Sequence, residues 1–282
     1  MMLDVKEITK ALRWRFIPVR YAGKVRRSMA PRRPQAPRTE LAERIRQMGY
    51  APGPTIDQQT IESIREIYRP RAAQVKPTSG GHPFVNLFTA EDLSPENPLF
   101  RFAVSPEVLD RAHDYFGGRL IFDSIQYLYS WPTEGPLLES QKWHRDFGDS
   151  TSFHCIAYVN DVLGDDDGPF GFIDREDTTR IGKSLLIRRI DDEQFSRELG
   201  HSRHHKFLGR AGESVFVDPA KCYHYGSRCK RARHALFVTF NTDRPYVGAI
   251  PLIRDNAERA AAAARVVRPD LNEKYLRAVF GA

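Results

Sequence analysis

The second half of the chain is a succession of short hydrophobic runs separated by Gly, Pro and Asp clusters. From Arg119 onward these runs are rich in β-branched and aromatic residues, which favour strands. Six runs fit short strands: RLIFDSIQYLYS, TSFHCIAYVND, GPFGFID, KSLLIRRI, ESVFVD and HALFVTFN. The pattern therefore predicts a sheet region of six or more strands.

Helical patterns flank this sheet region. LAERIRQMGY predicts a short helix that ends at Gly49, and TIDQQTIESIREIY predicts a second helix capped by Thr55 or Asp57. NAERAAAAARVV predicts a helix from its alanine content, with Pro269 breaking it. We therefore expect a mainly β fold with flanking helices, built on an antiparallel double sheet or jelly-roll barrel.

Length and cysteine usage limit the class of protein and the compartment in which it is expected. A chain of 282 residues fits one main domain, and no apolar run approaches the roughly 20 residues that a transmembrane helix needs. The three cysteines, Cys155, Cys222 and Cys229, are widely spaced without a C-x-x-C pair, which indicates neither a disulfide framework nor a zinc site. The first 20 residues lack the apolar stretch of a secretory signal. We expect a cytoplasmic protein.

The net charge of +7 is concentrated near the N-terminus. Residues 1–34 hold ten Lys and Arg against Asp4 and Glu7, a local charge of +8, which leaves −1 for the other 248 residues. A Pro-rich stretch, APRRPQAPR, closes this segment. We therefore divide the chain into a basic segment with its linker, residues 1–39, and a folded domain, residues 40–282.

Apolar residues within the basic segment recur at three- or four-residue steps, as on one helix face: Val5, Ile8, Leu12 and Phe16. Three interpretations stay open. The helix docks on its own domain, lies on an anionic membrane surface, or contacts nucleic acid. No RNA or DNA motif accompanies the charge, so nucleic acid is the least expected partner.

The candidate chemistry begins in QKWHRDFGDS, where one residue separates His144 from Asp146. On an extended chain the side chains at i and i+2 share a face, so both groups can converge on one ion. Alone, this pair is weak evidence, because a hydrogen-bonded pair has the same spacing. His224 follows the predicted strand of ESVFVD and a Pro turn, and Arg233 begins the next strand nine residues later.

Two histidines and a carboxylate form the facial triad that fits non-heme Fe(II) in an oxygenase and leaves positions for a bidentate co-substrate and O2. An arginine can receive the far carboxylate of 2-oxoglutarate through two parallel hydrogen bonds. The combination predicts an iron site at His144, Asp146 and His224, with Arg233 as co-substrate clamp. Simpler roles stay open: a turn cap for His224 and a surface ion pair for Arg233.

Four segments between about residues 41 and 245 resemble the phytanoyl-CoA dioxygenase-like family of Fe(II)/2-oxoglutarate-dependent oxygenases: QMGYAPGPTIDQQTIESI, WHRDFGD, YVNDVLGDDDGPFGFI and GESVFVDPAKCYHYGS. The resemblance implies a double-stranded β-helix core, of the jelly-roll or cupin-like type. It implies His144, Asp146 and His224 as iron ligands and Arg233 as the 2-oxoglutarate clamp, with Tyr129 as a second group for the co-substrate. No further catalytic residue is implied.

The chain departs from the family pattern in two places. DREDTTRIG stands where the family has P-G-S-H, and the distance from His224 to Arg233 is short for the family. Arg228 and Arg231 are therefore rival candidates for the clamp. The carboxylate of Asp146 favours hydroxylation, since halogenases of related type have a small residue at this position.

Basic residues are dense beside the metal motifs: Lys142, Arg145, Arg180, Lys183, Arg188, Arg203, Lys206 and Arg210. This charge belongs either to a solvated surface or to a site that recruits a phosphate or carboxylate. We expect an anionic metabolite as substrate, such as a glycan, a lipid or an acyl conjugate. Two alternatives stay open, a ligand-binding protein without turnover and a nucleic-acid demethylase. The sequence does not predict the oligomeric state.

Overall fold

The computed structural model describes residues 39–77, 82–132, 134–180, 189–200 and 204–282. The basic segment, with its predicted amphipathic helix, lies outside the described residues, and so does most of the strand predicted from KSLLIRRI.

Nine α-helices are present in the described part of the chain: α1 Glu40–Met48, α2 Gln58–Gln74, α3 Pro98–Ala103, α4 Arg111–Phe116, α5 Arg175–Arg180, α6 Asp192–Leu199, α7 Pro251–Arg254, α8 Ala257–Val267 and α9 Glu273–Phe280. Eleven strands accompany them: β1 Tyr50–Pro52, β2 Phe84–Asn86, β3 Leu120–Ser130, β4 Trp143–His144, β5 Ser152–Tyr158, β6 Phe170–Ile173, β7 Arg189–Ile190, β8 His204–Phe207, β9 Ser214–Val217, β10 His224–Tyr225 and β11 Arg233–Thr242.

The strands form two antiparallel sheets. The major sheet has the order β1-β9-β5-β11-β3-β2, and the minor sheet has the order β7-β4-β10-β6-β8. Their facing surfaces share one hydrophobic cluster, in which Ile156 and Val217 of the major sheet pack with Phe170 and Phe172 of the minor sheet. From β3 to β6 and again from β8 to β11, consecutive strands alternate between the two facing sheets, which confirms the predicted double-stranded β-helix.

The helices cover the other face of the major sheet. Tyr127 of β3 stacks on Tyr68 of α2, with ring centroids 4.2 Å apart. Phe122 of β3 contacts Phe280 of α9 at 5.0 Å. The largest hydrophobic cluster lies between this face and the helices, so the sheet is buried on both sides.

Local signals set the helix ends. The Thr39 hydroxyl caps α1 by accepting from the Ala42 amide at 3.3 Å, and Gly49 ends the helix at φ 93°, where a glycine has no Cβ penalty. Asp57 caps α2 by accepting from Thr60, and the helix continues past the predicted segment to Gln74. Among the described residues, no helix has both the length and the apolarity needed to cross a bilayer.

Candidate metal centre

Two very short strands of the minor sheet carry the predicted histidines. β4 and β10 pair antiparallel, and His144 lies directly opposite His224, with ring centroids 4.2 Å apart. Directly opposed residues have their side chains on the same face of a sheet. Asp146 follows two residues after His144, and its amide donates to the Pro219 carbonyl at 2.9 Å. This bond ties the carboxylate-bearing loop to the segment that leads into β10.

The three predicted ligands converge. Asp146 Oδ1 lies 3.8 Å from His144 Nε2 and 3.7 Å from His224 Nε2. One ligand atom from each residue falls within 4.8 Å of the other two, as around a shared ion. Both histidines are buried, whereas the Asp146 side chain is 36% exposed and leaves the cluster open on one side. The arrangement can hold a metal ion through one face and leave its other positions accessible.

Backbone carbonyls fix the orientation of both imidazoles. His144 Nδ1 lies 2.8 Å from the Lys142 carbonyl, and His224 Nδ1 lies 3.1 Å from the Cys222 carbonyl. A carbonyl only accepts, so each Nδ1 carries a proton, and Nε2 of each ring is the atom turned towards Asp146. Burial lowers the pKa of His144 to about 3, with His224 adding to the shift. Neutral imidazoles with free Nε2 atoms are the form that ligates a metal.

The reverse faces of the two strands are anchored by α6. Trp143 stacks on Phe195 with ring centroids 3.8 Å apart, and its indole Nε1 donates to Asp192 Oδ1 at 3.0 Å. Trp143 also packs edge-on against Tyr225 of β10, at 4.6 Å. Because Trp143 precedes His144 and Tyr225 follows His224, these contacts hold in place both strands that carry the candidate ligands.

A third histidine, His154, lies beside the cluster. Its Nε2 is 3.7 Å from Asp146 Oδ2, the oxygen that faces away from the other two histidines. Burial lowers the pKa of His154 to about 4, although Asp146 opposes the shift. The sequence predicted the strand that carries His154, but the proximity of His154 to Asp146 depends on the fold and was not predicted.

Arg233 is a buried cation at the start of β11. Only 1% of the residue is exposed, Nη2 donates to Ser227 Oγ at 2.8 Å, and Nη1 donates to the Gly168 carbonyl. Its Nε is buried without a hydrogen-bond partner, and within the described residues no carboxylate pairs with it. A buried guanidinium with neutral partners is expensive, unless an anionic ligand completes the site. Ser227, at φ 60°, also contacts Ser130 Oγ at 3.1 Å.

The two rival arginines have other partners. Arg228 forms two 2.9 Å bonds to Asp192 and lies 3.7 Å above the Tyr225 ring. Arg231 bonds Asp167 at 2.6 Å, and 63% of its side chain is exposed. Burial and charge balance therefore favour Arg233 as the anion-binding residue.

Tyr129 lies on the face of β3 opposite to the one that carries Ser130. Ser130 is the residue opposite Arg233, whereas Tyr129 is opposite His234 and its ring contacts His234 at 4.9 Å. Since neighbouring residues of a strand point to opposite faces, the structure does not bring Tyr129 to the side of Arg233. Its role with a co-substrate stays a prediction.

Comparisons with protein-family models and with curated proteins gave no match. Solved structures do match. EctD from S. alaskensis in its apoform is 15% identical, with 79% of this chain and 85% of that chain covered and a TM-score of 0.57. The non-heme alpha ketoglutarate dependent epimerase SnoN from nogalamycin biosynthesis is 19% identical, with 76% and 87% covered and a TM-score of 0.52.

A third match is HygX from Streptomyces hygroscopicus with nickel and 2-oxoglutarate bound, which is 14% identical, with 73% of this chain and 88% of that chain covered and a TM-score of 0.51. At these identities the matches establish the fold, a double-stranded β-helix of the kind that houses non-heme, 2-oxoglutarate-dependent enzymes. Membership of the phytanoyl-CoA dioxygenase-like family stays a prediction.

Proposed function

We propose that the protein is an Fe(II)- and 2-oxoglutarate-dependent dioxygenase that hydroxylates an unactivated C–H bond of a small or conjugated metabolite. The observation that carries this proposal is the convergence of His144, Asp146 and His224 in the same barrel as Arg233, a buried cation that pairs with no carboxylate of the described residues. Two imidazoles and one carboxylate, with an accessible side, form the donor set that suits non-heme Fe(II).

Separate residues of the chain would bind the iron and the 2-oxoglutarate. His144, Asp146 and His224 would hold the iron through one face, and the exposed side of the cluster would receive 2-oxoglutarate and O2. The guanidinium of Arg233, with the Ser227 hydroxyl beside it, donates to the far carboxylate of 2-oxoglutarate. The bound iron, with 2-oxoglutarate and O2, supplies the oxidation: the co-substrate loses CO2 and becomes succinate, while the substrate gains a hydroxyl group.

The known proteins with this fold support the cofactor assignment. EctD was crystallised with 2-oxoglutarate and 5-hydroxyectoine, and HygX with nickel and 2-oxoglutarate. They also show that the outcome varies, because SnoN is an epimerase and SnoK from the same pathway is a carbocyclase. Hydroxylation is our choice for this chain because Asp146 supplies a carboxylate ligand, and product analysis will distinguish it from the other outcomes.

Partners and location follow from the sequence alone. Contact with an anionic membrane surface through residues 1–34 and a cytoplasmic location stay predictions, since the basic segment lies outside the described residues. A nucleic-acid substrate stays the less expected alternative. A ligand-binding role without turnover is the remaining alternative, and iron-dependent succinate release excludes it.

Anaerobic titration with Fe(II) tests the assignment. The wild-type protein should bind one Fe(II) per chain and release succinate from 2-oxoglutarate in air. The double variant His144→Ala/His224→Ala should lose both, because only the carboxylate of the triad is left. His113→Ala is the matched control, since His113 bonds Tyr275 in the helical layer at 2.9 Å. Retention of one tightly held Fe(II) by the folded double variant would show that the ligands are elsewhere.

A further inference from the structure

The inner face of β11 lines the space between the two sheets, here called the pocket, and gives it a direction. Alternate residues of this strand face the minor sheet, in the order Arg233, Ala235, Phe237, Thr239 and Asn241. Thr239 lies opposite His154 of β5, and His154 contacts Asp146. The metal ligands therefore lie at the level of Thr239, with Arg233 towards one end of the strand and Asn241 at the other.

A β-bulge lies at the Asn241 end. Across β3 and β11, Thr239 pairs with Ser124 and Phe240 pairs with Phe122, which leaves Asp123 as an extra residue on β3. A bulge locally breaks the alternation of side chains and turns one of them in a new direction. Bulges of this kind are frequent beside active sites, and this one places a carboxylate near the metal ligands.

Asp123 is held by the side chain of Asn241. The Oδ1 atom of Asn241 accepts from the Ser152 hydroxyl at 2.8 Å, which leaves its amide group to donate to Asp123. Burial raises the pKa of Asp123 to about 7, Asn241 opposes the shift, and the carboxylates of Asp146 and Asp149 add to it. A partly buried acid next to two others is costly for stability, and the fold alone gives no reason for it.

Backbone hydrogen bonds hold together the segments that surround Asp123 at this end of the pocket. The Ile250 amide donates to the Asp123 carbonyl at 3.1 Å, and the Val247 amide donates to the Gly148 carbonyl at 2.9 Å. Asp149 accepts from the Thr242 amide at 2.9 Å. The metal loop, the bulge and the segment after β11 are thereby joined around Asp123.

We infer that Asp123 binds a hydroxyl or amino group of the substrate and so positions it beside the metal. The inference rests on the proposed function: 2-oxoglutarate, which extends from Arg233 to the metal, leaves the Asn241 end of the pocket for the substrate. A carboxylate accepts hydrogen bonds from O–H and N–H groups and repels anions. Any phosphate or carboxylate of the substrate must therefore lie away from the reacting C–H bond, which narrows the anionic class expected from the sequence.

A succinate-release screen with two compound sets tests this inference. One set contains amino sugars, aminoglycosides and neutral polyols, and the other contains carboxylates and phosphates without amino or hydroxyl groups. Turnover of the Fe(II)-loaded wild-type protein should rise above its uncoupled rate only with members of the first set. If no compound of the first set raises it, or only compounds of the second set do, the inference is wrong.

Substitution of Asp123 tests the residue itself with the best compound found. Asp123→Ala should raise the KM for that compound by about tenfold or more, because a hydrogen bond to a charged group is lost. Asp123→Asn keeps the size of the neutral acid and should raise the KM less for a hydroxyl compound than for an amine. An unchanged KM in Asp123→Ala would overturn the assignment.

Two controls separate this inference from the proposed function. Asp243→Asn alters an exposed acid near the same end, paired with Arg119 at 3.8 Å, and should leave the KM unchanged. The Asp123 variants should bind Fe(II) and 2-oxoglutarate with affinities within about twofold of wild type. Failure of the wild-type protein to bind Fe(II) or 2-oxoglutarate would contradict the proposed function. An unchanged KM in Asp123→Ala would contradict only the role of Asp123.

Discussion

Arg233 is a guanidinium buried among neutral partners, and this is the sharpest residue-scale argument for an anionic ligand. We expect Arg233→Ala to weaken 2-oxoglutarate binding by roughly 30-fold or more, because a buried charge-assisted bidentate contact contributes on the order of 2 to 4 kcal/mol. Titration of the Fe(II)-loaded protein with 2-oxoglutarate under anaerobic conditions measures the change.

Arg231→Ala is the matched control for this prediction. Its guanidinium is exposed and paired with Asp167, so its removal should change the 2-oxoglutarate affinity by less than about twofold. A large loss of 2-oxoglutarate affinity in Arg231→Ala, together with an unchanged affinity in Arg233→Ala, would show that Arg231 binds the far carboxylate instead.

Residue type and spacing were enough to predict that His144, Asp146 and His224 lie together. In an H-x-D pair on an extended chain, the two side chains lie on the same face. His224 could be singled out because it follows a strand and a Pro turn. His154 and Asp123 could not be predicted in the same way. Their positions near Asp146 depend on the register of β3, β5 and β11, which is set by contacts between residues far apart in the sequence.

At the scale of elements, the loop between β9 and β10 is held by one buried carboxylate. Asp218 accepts from the Tyr115 hydroxyl at 2.6 Å, the Ser152 amide at 3.1 Å and the Ala220 amide at 3.0 Å. Burial raises the pKa of Asp218 to about 6, although these hydrogen bonds oppose the shift. The loop then supplies the Pro219 carbonyl to Asp146 and continues to His224.

We therefore expect a pH-dependent stability difference between the wild-type protein and Asp218→Asn. A raised carboxyl pKa stabilises the fold at acid pH, and this contribution is lost as the pH rises through about 6. From about pH 5 to about pH 7.5 the unfolding free energy of the wild type should fall by about 1 to 2 kcal/mol relative to the variant. Urea denaturation of both proteins at the two pH values measures it, and parallel pH profiles would contradict the prediction.

Element length and composition together explain which strands the sequence predicted: β8 is as long as β6 and β9, but its sequence HHKF lacks their β-branched and aromatic character and was not recognised. β3, β5, β6, β9 and β11 are four to eleven residues long and were all recognised from their composition. β4 and β10 have two residues each, too few for any periodicity, although they carry two of the metal ligands. They exist because the facing sheet, α6 and the His144–His224 pairing hold them, and these tertiary contacts leave no local pattern.

At the scale of the whole molecule, the metal centre and the basic segment are separate in the sequence. We expect a protein that starts at residue 39 to keep its thermal stability and its Fe(II) binding, because Thr39 still caps α1 and all three ligands are retained. Binding to anionic vesicles should fall, since each Lys or Arg near such a surface contributes about 1 kcal/mol.

Vesicle co-sedimentation of both proteins at low and high salt measures this difference. Salt should weaken binding of the full chain, because the Debye length shortens to about 8 Å at physiological ionic strength. Neutral vesicles are the control for apolar adsorption. Equal sedimentation of the two proteins on anionic vesicles would leave residues 1–38 without a membrane role.

The overall architecture was more predictable than the pocket. Runs of β-branched and aromatic residues between turn residues specify strands and their order along the chain, and helical periodicity specifies the layer of helices. The substrate side was not specified, because DREDTTRIG departs from the motif of the family that the sequence resembles and because the bulge at Asp123 has no sequence signature. The basic residues near the metal motifs suggested an anionic substrate, whereas the residues at the Asn241 end of the pocket are acidic.

The single pairing between β4 and β10 has a consequence for the lifetime of the protein. His144 and His224 are about 80 residues apart in the chain, so an ion that bridges them closes a long loop and opposes separation of the strands. By mass action, free Fe(II) at about one hundred times its Kd adds about 2.7 kcal/mol to the free energy of unfolding. Scarcity of iron would then do more than stop turnover: it would expose the chain to proteases, and the amount of enzyme would follow the iron supply.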